Sequence, residues 1–179
     1  MSRAIPLNIK EFATQRHYRP ATIERWLALA AADGQALLDL AAEMRLGENQ
    51  LSDLWTWAED VARRDGTSLA DVLTSAAMTA ARKRAISRND RLTLVKQELR
   101  RLRYPHLCAT EERLLELLHR LELPRDIRVA LPASLEGDHL TFQFVVTDTK
   151  QLRRIADELK RVADSPACAD IFALLEEAP

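Results

Sequence analysis

The chain has 179 residues, 47% hydrophobic and 30% charged, enough for one ordinary domain or two small ones that bury roughly 70% of their unfolded surface. Twenty-six Lys and Arg against 27 Asp and Glu leave a net charge of −1, so the chain is no global polyelectrolyte, and four glycines disfavour a phosphate-cradling glycine loop or a turn-rich β-sandwich. No apolar run approaches a membrane span and no signal-peptide core opens the chain, while Cys108 and Cys168 fit free thiols in a reducing compartment. The expectation is a soluble cytoplasmic protein that is not an enzyme.

Residues 1–19 carry Pro6 and no clear periodicity, and read as an arm. A first helix is expected from Pro20, which suits the first helical turn, through Ile23, Trp26, Leu27 and Ala30. A second runs from about Gln35 to Met44, with Asp33 or Gly34 near its cap, and a third runs from about Asn49 to just before Gly66. Ser68 and Asp71 have the spacing of a capping box and open a helix to about Ala85. Ser87 caps the next, which carries Leu92, Val95, Leu99 and Leu102 on one face and stops at Tyr104-Pro105. The segment 20–105 therefore reads as a helical domain.

Beyond it, residues 106–179 read as an α+β unit in the order helix–strand–strand–helix–helix. Thr110 caps a helix with Leu114, Leu117, Leu118 and Leu121. Ile127, Val129 and Leu131 alternate as a strand, and alternation returns through Leu140, Phe142, Phe144 and Val146. Asp148 or Thr149 caps a helix with Leu152, Ile155 and Leu159, and Pro166 restarts a last one. The fold class is thus mainly α with a C-terminal α+β unit. Two strands alone are marginal, and pairing with a second copy would cover an edge and extend the sheet. Leu140, Phe142, Phe144, Val146, Leu152, Ile155 and Leu159 are the expected dimer residues, unless the N-terminal helices cover the hairpin in a monomer.

The balanced total hides a segregation of charge. From Asp33 to Asp60 seven acids face one base, Arg45, a local −6; from Arg82 to Arg103 nine bases face Asp90 and Glu98, a local +7. Such a basic stretch holds a phosphate backbone or an acidic partner, or it pairs with the acidic segment of its own chain. The stretch from Leu40 to Leu54 has helix-turn-helix spacing: Ala41 at the crossing, Met44 and Leu46 flanking the turn, Leu51 and Leu54 as anchors. Asn49 and Gln50 suit adenine edges, whereas Glu48 and Asp53 repel phosphates. Two departures stand out: Arg45 sits where glycine is common, and the reading helix is acidic. The expected DNA-contacting residues are Arg45, Asn49, Gln50, Ser52, Arg82, Lys83, Arg84, Arg88, Arg91, Arg100, Arg101 and Arg103.

Catalytic and metal chemistry find little. His17, His106, His119 and His139 are dispersed, and His106, Cys108, Glu111 and Glu112 lack a second cluster to complete a tetrahedral zinc set. No nucleophile elbow, phosphate loop or zinc-protease motif occurs, so neither catalytic residues, nor metal, nor cofactor is expected. Trp26, Trp55 and Trp57 suit base stacking or, more simply, a helical core.

From Glu111 to Leu159 the chain resembles the C-terminal dimerisation domain of ParB-family chromosome-partition proteins. The matching pattern is the leucine helix Leu114 to Leu121, Ile127-Arg128-Val129, Gly137, Phe142 to Val146, Thr147-Asp148, then Leu152, Ile155 and Leu159. About 50 residues match, by pattern and without an invariant motif, and the preceding helices with their helix-turn-helix follow the family's order. The family's N-terminal nucleotide-binding domain is not matched, so CTP binding and sliding-clamp activity are not implied. The resemblance implies a DNA-binding dimer, with double-stranded DNA as partner. The alternative is a protein-interaction adaptor that docks a partner on an acidic helical face and binds no nucleic acid.

Overall fold

The computed structural model describes residues 8–132, 135 and 137–177. The chain divides into two compact units, Met1–Pro105 and His106–Pro179. Among the described residues the first is all-helical, and the second combines three helices with a two-stranded antiparallel sheet.

The first unit begins with α1 (Ile9–Gln15), α2 (Pro20–Leu27) and α3 (Ala31–Met44). Of the segment read as an arm, residues 1–7 lie outside the described residues, and 8–19 fold: Asn8 caps α1 by accepting from the Lys10 N–H at 2.8 Å, and Phe12, Ala13 and Tyr18 are buried. Their spacing turns one face of α1 inward, and the chain leaves the helix with His17 in a left-handed conformation at φ 56°. Phe12, Tyr18 and Trp26 then stack and cross at centroid distances of 6.1–6.4 Å, and Trp55 joins Trp26 at 6.4 Å. Two of the three tryptophans are thus core. The Trp26 indole N–H donates to the Gly34 carbonyl at 3.1 Å, so α3 starts close to α2. A Cβ at Gly34 would meet Ile9 Cδ1 at 3.1 Å, so a larger residue there needs the Ile9 side chain to give by a few tenths of an ångström.

Next come α4 (Glu48–Asp65), α5 (Leu69–Thr74), α6 (Ala76–Lys83) and α7 (Arg88–Arg103). The Ser68–Asp71 capping box opens α5 as its spacing requires, each side chain reaching the other's backbone N–H at 3.0–3.1 Å. The single helix expected from there to about Ala85 is two, because Ser75 adopts an extended conformation and separates α5 from α6. α3 packs on α1, α5 and α7, α4 on α5 and α7, and α6 on α7. Their shared core holds Leu37, Leu40, Leu51, Leu54, Leu73, Val95 and Leu99, all fully buried.

The second unit opens with α8 (Pro105–Arg120), which starts five residues before Thr110. Pro105 is not only the stop of α7: its fixed φ and missing N–H also suit a first helical turn. Strands β1 (Ile127–Ala130) and β2 (Thr141–Phe144) pair antiparallel, with Ile127 opposite Phe144 and Val129 opposite Phe142. The alternation through Val146 thus outruns the strand by two residues. Asp148 caps α9 (Thr149–Ala163) by accepting from the Gln151 N–H at 2.7 Å, and α10 (Pro166–Glu177) follows. Leu114, Leu117 and Leu121 of α8 and the turn after it bury against Val162, Ile171 and Leu175. Arg161 Nη2 donates to the Leu121 carbonyl at 2.8 Å and ties α9 to the end of α8.

Candidate nucleic-acid interface

At the α3–α4 junction the residues with the expected helix-turn-helix spacing are buried together. Ala41, Met44, Leu46, Leu51 and Leu54 are all fully buried, so the crossing residue, the turn flanks and the anchors face inward together. Arg45 occupies the glycine position of the turn with φ 49° and ψ 49°. The Leu46 N–H donates to the Ala41 carbonyl at 3.0 Å and the Arg45 N–H to Ala42 at 3.3 Å, the paired bonds by which a left-handed residue ends a helix.

The turn is braced from outside the pair. Arg88 Nη1 on α7 donates to the Met44 carbonyl at 3.3 Å, Arg16 Nη1 to the Arg45 carbonyl at 3.1 Å, and the buried Tyr18 hydroxyl to the Leu46 carbonyl at 2.8 Å. Burial pushes the Tyr18 phenol up to about 12, against the lowering effect of the Arg16 charge. The bracing roles of Arg16 and Tyr18 were not read from the sequence, because both lie in the segment read as an arm.

The acidic and basic segments do fold onto each other. Glu43 near the end of α3 takes Arg82 at 2.7 Å and Arg91 at 3.7 Å. Asp60 takes Arg103 at 2.6 Å and Arg63 at 3.6 Å, and Glu59 takes Arg25 at 2.6 Å. Glu48 is held by Thr22 and by Arg19 at 2.8 Å; the Thr22 hydrogen bond, then Arg19, keeps its carboxyl below the usual range. Asp33 accepts from the Ala70 N–H at 2.8 Å and Asp39 from Gln35 at 2.7 Å. Of the seven acids only Asp53 has no partner among the described residues.

This pairing sorts the candidate DNA residues. Arg82 and Arg91 point at Glu43, and Arg103 at Asp60. Arg101 lies 3.7 Å from Glu98 on its own helix. Arg45, Lys83 and Arg84 are exposed and make no side-chain bond to the described residues. Arg88 is exposed and braces the turn. Arg16, Arg45, Arg82, Arg88 and Arg91 meet at the C-terminal end of α3, with Lys83 and Arg84 next to Arg82 in the chain. Arg100, Arg101 and Arg103 lie at the other end of α7, twelve to fifteen residues on, roughly 18–22 Å away. The basic segment is therefore two patches. On α4, Asn49 and Asp53 are exposed and Ser52 half-buried, while Gln50 accepts from the Gly47 N–H at 3.3 Å and closes the helix start.

In the second unit the expected dimer residues also divide. Ile155 is 1% exposed and so offers no surface; Leu140, Phe142 and Leu159 are half-buried. Phe144, Val145, Val146 and Leu152 are 39%, 79%, 39% and 47% exposed, an apolar surface at the end of β2 and the start of α9. Counted by unit, 1–105 carries 17 bases and 13 acids, and 106–179 carries nine bases and 14 acids. The first unit is thus net basic and the second net acidic. No metal-holding cluster of His, Cys, Asp or Glu occurs among the described residues, and none of their helices is long and apolar enough to cross a membrane. Burial pushes the Cys168 thiol up, which disfavours a reactive thiolate.

Comparison with known proteins identifies no relative: no family model, curated protein or solved structure matches the chain.

Proposed function

We propose that this chain is a non-enzymatic, ParB-like DNA-binding protein that acts as a dimer, with α3–turn–α4 as its helix-turn-helix. The observation that carries the reading is the convergence of arginines from separate elements on the α3–α4 turn. Arg16 and Arg88 come in from either side, Arg45 stands on the turn, and Lys83 and Arg84 extend the rim. Cations there flank the start of a helix that projects polar side chains, the arrangement by which phosphate contacts position a reading helix in the major groove. The acidic-adaptor alternative loses support, because six of the seven acids it would use are already engaged within the first unit.

Dimerisation rests on the second unit. A two-stranded sheet with an apolar surface at Phe144, Val145, Val146 and Leu152 gains cover from a second copy. The acidic balance of that unit makes it a poor phosphate binder, so the two tasks separate by unit.

The test is anisotropy of a labelled random duplex titrated with the protein at ~50 and ~200 mM salt. Binding that weakens steeply with salt is expected. Replacing Arg45, Lys83 and Arg84 together by Ala should lower the salt slope by about 0.9 for each phosphate that is no longer neutralised. Absence of binding at the lower salt would refute the reading.

A further inference from the structure

We infer that Asn49 and Asp53 select the DNA sequence, as an adenine and a cytosine about two base-pair steps apart; this rests on the DNA-binding reading above. The structure engages two of the polar side chains at the start of α4. Glu48 is held by Arg19 and Thr22, and Gln50 closes the start of its own helix. Asn49 and Asp53 remain exposed, four residues apart, with no hydrogen bond or ion pair to the described residues. Asp53 is conspicuous because it is the one acid of its segment that the fold does not engage.

Position and chemistry then fix the bases. Residues four apart on a helix lie on one face and rise about 6 Å, close to two steps of duplex at 3.4 Å each. The Asn carboxamide donates to N7 and accepts from N6 of adenine, a bidentate match that no other base offers it in the major groove. A carboxylate only accepts, and the major groove offers it two donors, cytosine N4 and adenine N6; N4 suits it better, because adenine N6 stands beside the N7 acceptor, while guanine N7 and O6 and thymine O4 are acceptors that repel it. An unpartnered carboxylate among phosphates penalises every site that does not offer that donor. The cations of Arg45, Lys83, Arg84 and Arg88 supply the compensating attraction, so Asp53 costs affinity on the wrong sequence and little on the right one.

The experiment is selection from a randomised duplex library with the full-length protein and with Asn49→Ala and Asp53→Ala, both exposed positions where the fold is expected to survive. The wild type should enrich adenine and cytosine at that spacing. N49A should lose about tenfold discrimination at the adenine alone, and D53A at the cytosine alone while binding unselected duplex more tightly. Salt-sensitive binding that enriches no sequence, or variants that keep the parental preference, would overturn this inference and leave DNA binding standing. Absence of all binding would overturn the reading beneath it as well.

Discussion

Replacing Tyr18 by Phe separates the bracing of the α3–α4 turn from the packing of the aromatic cluster. The Tyr18 hydroxyl donates to the Leu46 carbonyl at 2.8 Å inside the core, while its ring packs on Phe12 and Trp26. Y18F keeps the ring and leaves a buried carbonyl without that donor, which costs about 1–3 kcal/mol. The same burial raises the phenol from 10.0 to about 12. A group whose pKa is higher folded than unfolded contributes its full stability below the unfolded value and loses it as pH climbs to the folded one. The window is therefore pH 10.0 to about 12. Two pKa units correspond to a loss on the order of 3 kcal/mol, which the wild type undergoes across that window and Y18F does not.

Urea unfolding of both proteins from neutral to strongly alkaline pH reads the difference directly. Y18F should be the less stable protein at neutral pH. The gap should hold up to about pH 10 and then narrow, with the two stabilities nearly equal near the top of the window. Tyr104 and every charged residue are common to both proteins, so their contributions cancel in the comparison. A gap that stays constant through pH 12 would refute the reasoning, because a buried, hydrogen-bonded phenol must resist ionisation in the folded state alone.

Two further substitutions test the turn and the charge pairing. Arg45→Gly relieves a left-handed conformation that costs a side chain about 1–2 kcal/mol, partly offset by glycine's own entropy. It should therefore raise the unfolding midpoint while lowering the DNA salt slope by about 0.9, and an unchanged slope would remove Arg45 from the phosphate-binding set. Glu43→Gln frees Arg82 and Arg91 and should tighten and steepen salt-dependent duplex binding. Because the pairs are partly exposed, its stability cost should stay under about 1 kcal/mol by urea titration; weaker DNA binding in a folded E43Q would show that the pairs hold the interface rather than restrain it.

The parts of this fold that were legible in the sequence are those decided within one turn of helix. Ser68 with Asp71, Ser87 with Asp90 and Asp148 with Gln151 each place an acceptor where a helix start needs one, and each caps as the spacing requires. The burial of Ala41, Leu51 and Leu54 was legible as well, because the three lie within fourteen residues of one another. Signals with two meanings misled. Pro105 read as a stop, yet it also starts α8, and Ser75 carries no cue that distinguishes a break from helix interior. α1 hid because a seven-residue helix has too few apolar positions to establish a period, and only its packing on α2 and α3 sustains it. The pairing of Glu43 with Arg82 was not readable at all, because 39 residues separate the partners and nothing local names one for the other.

That long-range pairing also changes what the charge segregation means. A run of seven acids beside a run of nine bases invites two binding faces of opposite sign, but the fold uses most of the acids to orient arginines. Outside the pairs stand Arg45, Lys83, Arg84 and Arg88, at the C-terminal end of α3 and beside it, near a helix start that carries Asn49 and Asp53. One such site touches few phosphates, and a single unit would hold DNA weakly at physiological salt. The second unit is net acidic, so under the proposed function its contribution to DNA affinity comes through association. Two linked first units convert the second binding event into an intramolecular one, and avidity can then exceed either affinity by about 10²–10⁴ without any new side chain. Under this reading, disrupting the apolar surface with Val145→Asp should cost more DNA affinity than removing any one arginine, although Val145 belongs to the other unit. A V145D protein that becomes monomeric by sedimentation yet binds duplex as tightly as the wild type would break the link between the two halves of the proposal.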